Sequence, residues 1–202
     1  KRFVLVFNGE IYNYKDLKNE LTKSGHQFLT VSDTEVVLNS YLEWGVDCLS
    51  KFNGEWAIAL WDKRNDSLFL SRDRYGIKPL YFWKENNRLT FSSEIKTFTS
   101  IGNFQLDNDE LWDLLVLGPK PGGKTYLNGI EELLPGTFMQ ISDGKASMKE
   151  YYSLEDSLEN ETSKVDLEEI ESLLIDSVRK RLMSDVKIGT INSGGLDSSL
   201  VS

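Results

Sequence analysis

The chain opens on five consecutive apolar residues, Phe3-Val4-Leu5-Val6-Phe7, the length of a buried strand. Asn8-Gly9-Glu10 follows as a turn. Asn13 is placed to cap a helix over Lys15 to Lys23, which carries Leu17 and Leu21 on one face and stops at Ser24-Gly25. Gln27 to Val31 reads as a second strand. Ser32-Asp33-Thr34-Glu35 then opens a helix to about Trp44, with acidic residues in the first turn, where they complement the helix dipole.

From Trp56 the strand pattern dominates. Trp56 to Asp62 and Ser67 to Arg72 flank a turn at Asn65-Asp66, and Leu80 to Lys84 and Arg88 to Ser92 flank one at Glu85-Asn86-Asn87, which predicts two hairpins. Ser93 to Phe98 is expected as a short helix, Asp107 to Leu117 as a longer one, and Gly118 to Gly123 as a Pro/Gly loop. Ile130 to Leu134 is short and apolar. Thr137 to Ile141 is a strand that returns through Asp143-Gly144 into Met148 to Tyr152.

The composition then changes. Ser153 to Ser163, rich in Ser, Glu and Asn, is expected to be a linker. Asp166 caps a helix with Leu167, Ile170, Leu173, Leu174 and Val178 at helical spacing and Arg179, Lys180 and Arg181 in its last turns. Val186 to Ile191 is a predicted strand, leading into Ser193-Gly194-Gly195 and a new helix. The division is therefore a β-rich domain over 1–152, a linker over 153–163 and the start of a second domain over 164–202. With no Met at Lys1 and a helix barely begun at Ser202, the chain reads as a fragment.

Composition narrows the classes. Of 202 residues, 40% are hydrophobic and 11% aromatic, enough for a core and too many for a disordered chain. A net charge of -9 argues against nucleic-acid and membrane partners, which are themselves anionic. No apolar run approaches the roughly 20 residues that cross a bilayer. The lone Cys48 excludes an intrachain disulfide and suits a reducing compartment, the cytoplasm.

Chemistry concentrates at two places. In Ser193-Gly194-Gly195-Leu196-Asp197-Ser198-Ser199, the glycines let backbone N–H groups approach a ligand, the serines add donors, and a helix start adds partial positive charge. This suits phosphate, with Asp197 tolerable there only if a cation such as Mg²⁺ bridges them. No Lys follows the glycines, so it is not a P-loop. A plain glycine-rich turn capped by serines is the alternative. In Asn8-Gly9-Glu10, the Asn8 amide and the Gly9 N–H are two donors that can meet an oxyanion, and Glu10 and Asp33 are carboxylates suited to an ammonium. Asn-Gly is also a common turn signal, and Asn53-Gly54-Glu55 repeats the triplet as a plain connector.

The order of segments decides between these readings. Ser193 to Ser199 resembles the SGGxDS loop of ATP-pyrophosphatases. Phe7 to Asn13 resembles the FNGEIYN segment of class II glutamine amidotransferases in the form carried by glutamine-dependent asparagine synthetases. Ser32-Asp33-Thr34-Glu35, Phe52 to Asp62, Arg72 to Phe82 and Ser92 to Lys96 match further blocks of that family in its own order.

The resemblance implies an α+β fold: an N-terminal-nucleophile-hydrolase-like αββα two-sheet sandwich, incomplete at its N-terminus. The first helix, strand and loop of a Rossmann-like α/β ATP-pyrophosphatase domain would follow. It implies that Asn8 and Gly9 form an oxyanion hole and that Asn8, Glu10 and Asp33 bind glutamine, Asp33 on the α-amino group. It implies that Ser193, Gly194, Gly195, Asp197 and Ser198 bind the pyrophosphate end of ATP, with Mg²⁺ at Asp197. Asp73, Arg74 and Lys78 are expected to be structural.

The implied activity is ATP-dependent amidation of aspartate with glutamine as nitrogen donor, giving AMP and pyrophosphate; a homodimer is allowed. The family's nucleophile is an N-terminal cysteine, and Cys48, inside a helix, is not its equivalent; these 202 residues alone are expected to be inactive. His26 is expected as a surface or capping residue. Three rivals stand beside this reading: another carboxylate acceptor, a β-lactam-synthetase-like protein without glutaminase activity, and a non-enzymatic module.

Overall fold

The computed structural model describes residues 2–86, 88–118, 123–155, 166–184 and 186–202. It divides into two compact units, Lys1–Leu154 and Glu155–Ser202.

The first unit is built on two antiparallel sheets. Strands β1 (Phe3–Ile11), β2 (Gly54–Asp62), β3 (Ser67–Arg72), β7 (Thr137–Ser142) and β8 (Lys145–Glu150) form the larger sheet in the order β1-β2-β3-β7-β8. Strands β4 (Tyr81–Glu85), β5 (Arg88–Ser92) and β6 (Ile130–Glu132) form the smaller, in the order β5-β4-β6. Alternation along each strand assigns its two faces. Trp56, Ile58, Leu60, Phe69 and Phe138 turn one face of the larger sheet toward helices α1 (Tyr14–Lys23) and α2 (Asp33–Trp44), which contribute Leu17, Leu21, Val36 and Val37. Ala57, Ala59, Leu70 and Met139 turn the other face toward Leu80 and Phe82 at the smaller sheet. The outer face of that sheet, with Tyr81, Trp83 and Ile130, is covered by Phe98 from the 3-10 segment Ile95–Ser100. The expected two-sheet sandwich with flanking helical layers is present, and one of those layers is this 3-10 turn.

The turn between the sheets is tied by buried charges. Asp73, almost fully buried, accepts hydrogen bonds from the backbone N–H groups of Trp56, Tyr75, Ile77 and Lys78. Arg72 donates to the carbonyls of Lys78, Gly76 and Leu133 and pairs with Glu132 at 2.9 Å. A buried ionised group is tolerated when its hydrogen-bonding capacity is filled in this way.

Several expectations fail for physical reasons. The run Phe3 to Phe7 is a strand but not a buried one: β1 is an edge strand whose Val6 is 54% exposed. Gln27 to Val31 is not a strand. The N–H groups of Leu29 and Thr30 donate to the Glu35 carboxylate instead of a ladder partner, and Leu29 and Val31 stand in solvent. Asn13 precedes α1 without capping it, because its side chain bridges to the Lys51 carbonyl and the Asn53 N–H. The return strand begins at Lys145 and ends at Glu150, so its expected start at Met148 lies inside it.

Ser32 caps α2 by accepting the Thr34 N–H, and a short helix α3 (Cys48–Lys51) follows it. Asp107 caps α4 (Asn108–Leu117), accepting the N–H groups of Asp109 and Glu110. Most of the expected Pro/Gly loop (119–122) and most of the expected linker (156–163) lie outside the described residues.

In the second unit, Asp166 caps α5 (Leu167–Arg181) through the N–H groups of Glu168 and Glu169, and α6 (Leu196–Val201) follows the glycine loop. The described residues of 186–191 form no strand: they pair with no other strand among the described residues, and Ile191 is fully exposed.

Candidate functional site

The site at the first glycine triplet is the end of a ladder. β1 pairs antiparallel with β2 through its last residue: Gly9 lies opposite Trp56, Glu10 opposite Glu55, and Ile11 opposite Gly54. Asn8-Gly9-Glu10 is therefore strand and not a turn. Asn53-Gly54-Glu55 is no mere connector either, since Gly54 and Glu55 begin the strand that faces the first triplet. The glycines are required by closeness. A Cβ on Gly9 would lie 2.1 Å from the Glu55 carbonyl oxygen, and one on Gly54 would lie 2.2 Å from that of Glu10. The Tyr12 N–H donates to the Asn53 carbonyl at 2.8 Å and closes the end.

Strand alternation then aims the side chains. Val6, Asn8 and Ala57 line an open cleft of about 390 Å³ with Leu80, Phe91 and Ser93. Asn8 Nδ2 donates to Ser93 Oγ at 3.2 Å, which holds the amide in the cleft. Asp33, at the start of α2, reaches the same strand end: its Oδ2 accepts the Ile11 N–H at 3.1 Å. Burial, then the charges of Asp33 and Glu55, raise the Glu10 carboxyl above its ordinary value, and Lys78 opposes them. Lys78 Nζ is 2.9 Å from Glu55 Oε1.

Asn8, Gly9, Glu10 and Asp33 are thus brought to one place. Three further residues, Ser93, Glu55 and Lys78, were not expected there. Repetition of the Asn-Gly-Glu triplet was the available signal for Glu55, and the Ser92–Lys96 block was the signal for Ser93. A cavity of about 430 Å³ between Tyr41, Asp62, Gln140 and Lys145 holds none of the expected site residues, and its Asp62 is engaged by Arg2 Nε at 2.9 Å.

Cys48 lies fully buried in α3, where burial first and the Asp47 charge second push its thiol up to about 12. It is a core residue and no nucleophile. His26 fastens the end of α1 to α2: its N–H donates to the Leu21 carbonyl, Nδ1 lies 3.3 Å from Asn39 Oδ1, and Nε2 lies 2.7 Å from Glu43 Oε2.

The second site is local. Gly194 has φ +78°, in the left-handed region that glycine tolerates, and a Cβ there would meet nothing within 4 Å. Its N–H donates to Asn192 Oδ1 at 2.7 Å, and Ser193 Oγ and Ser198 Oγ lie 2.8 Å apart. Asn192 is the residue the motif did not flag: it also accepts from Ser198 Oγ at 3.1 Å. The Ser193 and Ser198 hydroxyls and the Gly194 and Gly195 N–H groups are bonded within the loop, and the space beside Gly194 is open. Asp197 stands in the first turn of α6, and among the described residues no three His, Cys, Asp or Glu side chains converge to hold a metal.

The glutamine amidotransferase domain family matches residues 1–152. The chain belongs to this family. The amidotransferase domain is followed by a match of residues 169–202 to the asparagine synthase family. Glutamine-hydrolysing asparagine synthetase 3 of Bacillus subtilis is 37% identical over 202 residues, which cover 98% of this chain and 33% of that protein. A putative glutamine-hydrolysing asparagine synthetase 2 of Methanocaldococcus jannaschii is 37% identical over 205 residues, covering 98% and 39%. The chain thus spans about a third of the length of the curated relatives it matches. Among solved structures, a glutamine phosphoribosylpyrophosphate amidotransferase from B. subtilis aligns with 74% of this chain and 29% of its own. Its TM-score is 0.55 at 23% identity, a likeness of fold.

Proposed function

We propose that this amidotransferase domain serves a glutamine-dependent asparagine synthetase: glutamine supplies ammonia, and ATP activates the aspartate β-carboxylate that accepts it. The observation that carries the reading is the convergence of the Asn8 amide, the Gly9 backbone, Glu10 and Asp33 at one strand end, from segments 22 residues apart. The match of residues 169–202 and the names of the relatives support the choice of acceptor.

In this mechanism a cysteine thiol attacks the glutamine side-chain amide and expels ammonia, leaving a glutamyl thioester that water hydrolyses to glutamate. Cys48 does not supply that thiol. Asn8 Nδ2 and the Gly9 N–H donate to the oxyanion of the tetrahedral intermediate, an interaction stronger there than in the neutral amide. Glu10 and Asp33 hold the substrate ammonium, and Asn8 helps to orient the glutamine.

Ser193, Gly194, Gly195 and Ser198 hold the pyrophosphate end of ATP, whose transfer of AMP to the aspartate carboxylate precedes attack by ammonia. Asp197 would be the residue to hold a Mg²⁺ ion, which would neutralise phosphate charge. The proposed compartment is the cytoplasm, supported by the lone buried thiol. Among the described residues, no helix is long and apolar enough to cross a membrane.

The test is ammonia and pyrophosphate release by the full-length protein with glutamine, aspartate and Mg-ATP, each omitted in turn. Pyrophosphate release that requires aspartate, with glutamine as nitrogen donor, is the expected result. Glutamine hydrolysis indifferent to aspartate would move the acceptor elsewhere. No glutamine hydrolysis would overturn the assignment of Asn8, Glu10 and Asp33.

A further inference from the structure

Lys78 belongs to the buried-charge turn between the sheets, yet its ammonium pairs with Glu55 at the end of the β1–β2 ladder. Glu10 and Glu55 are directly opposed in the β1–β2 register, so strand alternation sends both side chains to the same face. Like charges in that arrangement repel, and Asp33 adds a third carboxylate at the Ile11 N–H. Against these three stands Lys78, with Nζ 2.9 Å from Glu55 and its stem part-buried. Its backbone is fastened on both sides: its N–H donates to buried Asp73 Oδ2 at 2.9 Å, and its carbonyl accepts from Arg72 Nε at 2.9 Å. The backbone is thus already fixed, and the pair with Glu55 has only the lysine side chain left to order.

We propose that Lys78, through its ion pair with Glu55, is a positioning residue for Glu10. It cancels the opposing carboxylate so that Glu10 stays ionised and free to receive the ammonium of glutamine. This rests on the glutamine site proposed above. Burial first, then the charges of Asp33 and Glu55, favour the protonated form of Glu10, and Lys78 favours the ionised one. With Lys78 engaged by Glu55, the attraction of Glu10 and Asp33 is left for the substrate. Without it, adjacent carboxylates relieve their repulsion by sharing a proton, and a protonated Glu10 no longer attracts a cation.

The experiment uses the full-length protein with Lys78→Met, Lys78→Arg, Glu55→Gln and the Lys78→Met/Glu55→Gln double variant. Two readouts are followed against pH: KM and kcat for glutamine hydrolysis, and the carboxyl titration of Glu10 by carbon NMR. Lys78→Met is expected to raise KM about threefold, the size of a part-exposed charge pair, with kcat unchanged. The acid limb of its KM profile moves to higher pH. Lys78→Arg restores the wild-type profile, and so does the double variant, because the opposing charge is gone. Glu55→Gln alone moves the Glu10 titration down.

A purely structural lysine gives another pattern: a lower melting temperature, an unmoved pH profile, and a double variant no better than the single. That result overturns the inference. The Glu10 titration needs no substrate. If wild-type protein fails to use glutamine while Glu10 still shifts with Lys78, the reading of the site falls and the electrostatic role stands. If glutamine is used and Glu10 does not respond, the inference falls alone.

Discussion

The end of the β1–β2 ladder and the loop at Ser193 are both short glycine-bearing segments of proposed binding function, and they are held by opposite means. At the ladder, every restraint is long-range: Ile11 to Asp33, Glu10 facing Glu55, Asn8 to Ser93. At the loop, the restraints are local, with Asn192, Ser193, Gly194 and Ser198 bonding among themselves. The first glycines are fixed by what lies against them and the second by the backbone's own turn. Geometry at the ladder is thus a property of the whole first unit, whereas geometry at the loop belongs to a few residues. Substitutions at the two places should differ accordingly.

The largest contrast is between glycines. Gly9→Ala or Gly54→Ala forces a Cβ onto a carbonyl oxygen and is expected to cost about 3 kcal/mol in urea unfolding of the first unit. Gly194→Ala meets open space and bears only the left-handed backbone cost, about 1 kcal/mol, confined to the loop. Equal effects at the two sites would erase the distinction. Asp73→Ala comes next. It strands the N–H groups that converge on that carboxylate and is expected to cost about 3 kcal/mol, read in the same urea unfolding.

Asp33→Asn separates holding from charge. The amide oxygen still accepts the Ile11 N–H, so the melt should move little, while KM for glutamine rises about tenfold through loss of a charged hydrogen-bond partner.

Glu10→Gln should move stability the other way. The raised carboxyl value means that the folded state binds the proton more tightly than the unfolded chain does. The ionised form therefore costs stability: the cost is absent below the unfolded value and fully present once pH has risen past the folded one. The Gln variant should melt higher than wild type at neutral pH, with the gap closing in acid, and should bind glutamine less well. A gap that widens in acid would reverse the assignment.

The smallest effect is expected at Asn192→Ala. Global stability should stay within about 0.5 kcal/mol, with faster amide exchange at Gly194 as the readout.

The same contrast governs what could be read from the sequence. The cap at Asp166 and the helix starts at Ser32 and Asp107 were legible because they depend on the next few residues; the cap expected at Asn13 was not realised, because that side chain is taken by Lys51 and Asn53. Both hairpins were legible because their turns lie between their strands. The expected strands at Gln27–Val31 and Val186–Ile191 were not realised, since a strand needs a partner and an apolar run names none. Glu35 takes the free N–H groups in the first case.

The site divides similarly. Asn8, Glu10 and Asp33 were singled out as candidates through resemblance, and their residue types suit the proposed chemistry. That the two Asn-Gly-Glu triplets face one another followed from no local rule, because the pairing joins residues about 45 positions apart across three intervening α-helices. Glu55 was missed for that reason, while Ser93 and Lys78 reach the strand end from segments that no local pattern ties to it.

Cys48 carries one more consequence. A thiol this deeply packed and this weakly acidic is blind to alkylating reagents while the fold is closed. Labelling of that sulfur therefore counts the moments when the core opens, so the amidotransferase domain carries its own stopwatch for unfolding. Because Cys48 stays dark while the core is closed, a glutamine analogue that traps a reactive thiol in the folded full-length protein would mark a cysteine other than this one.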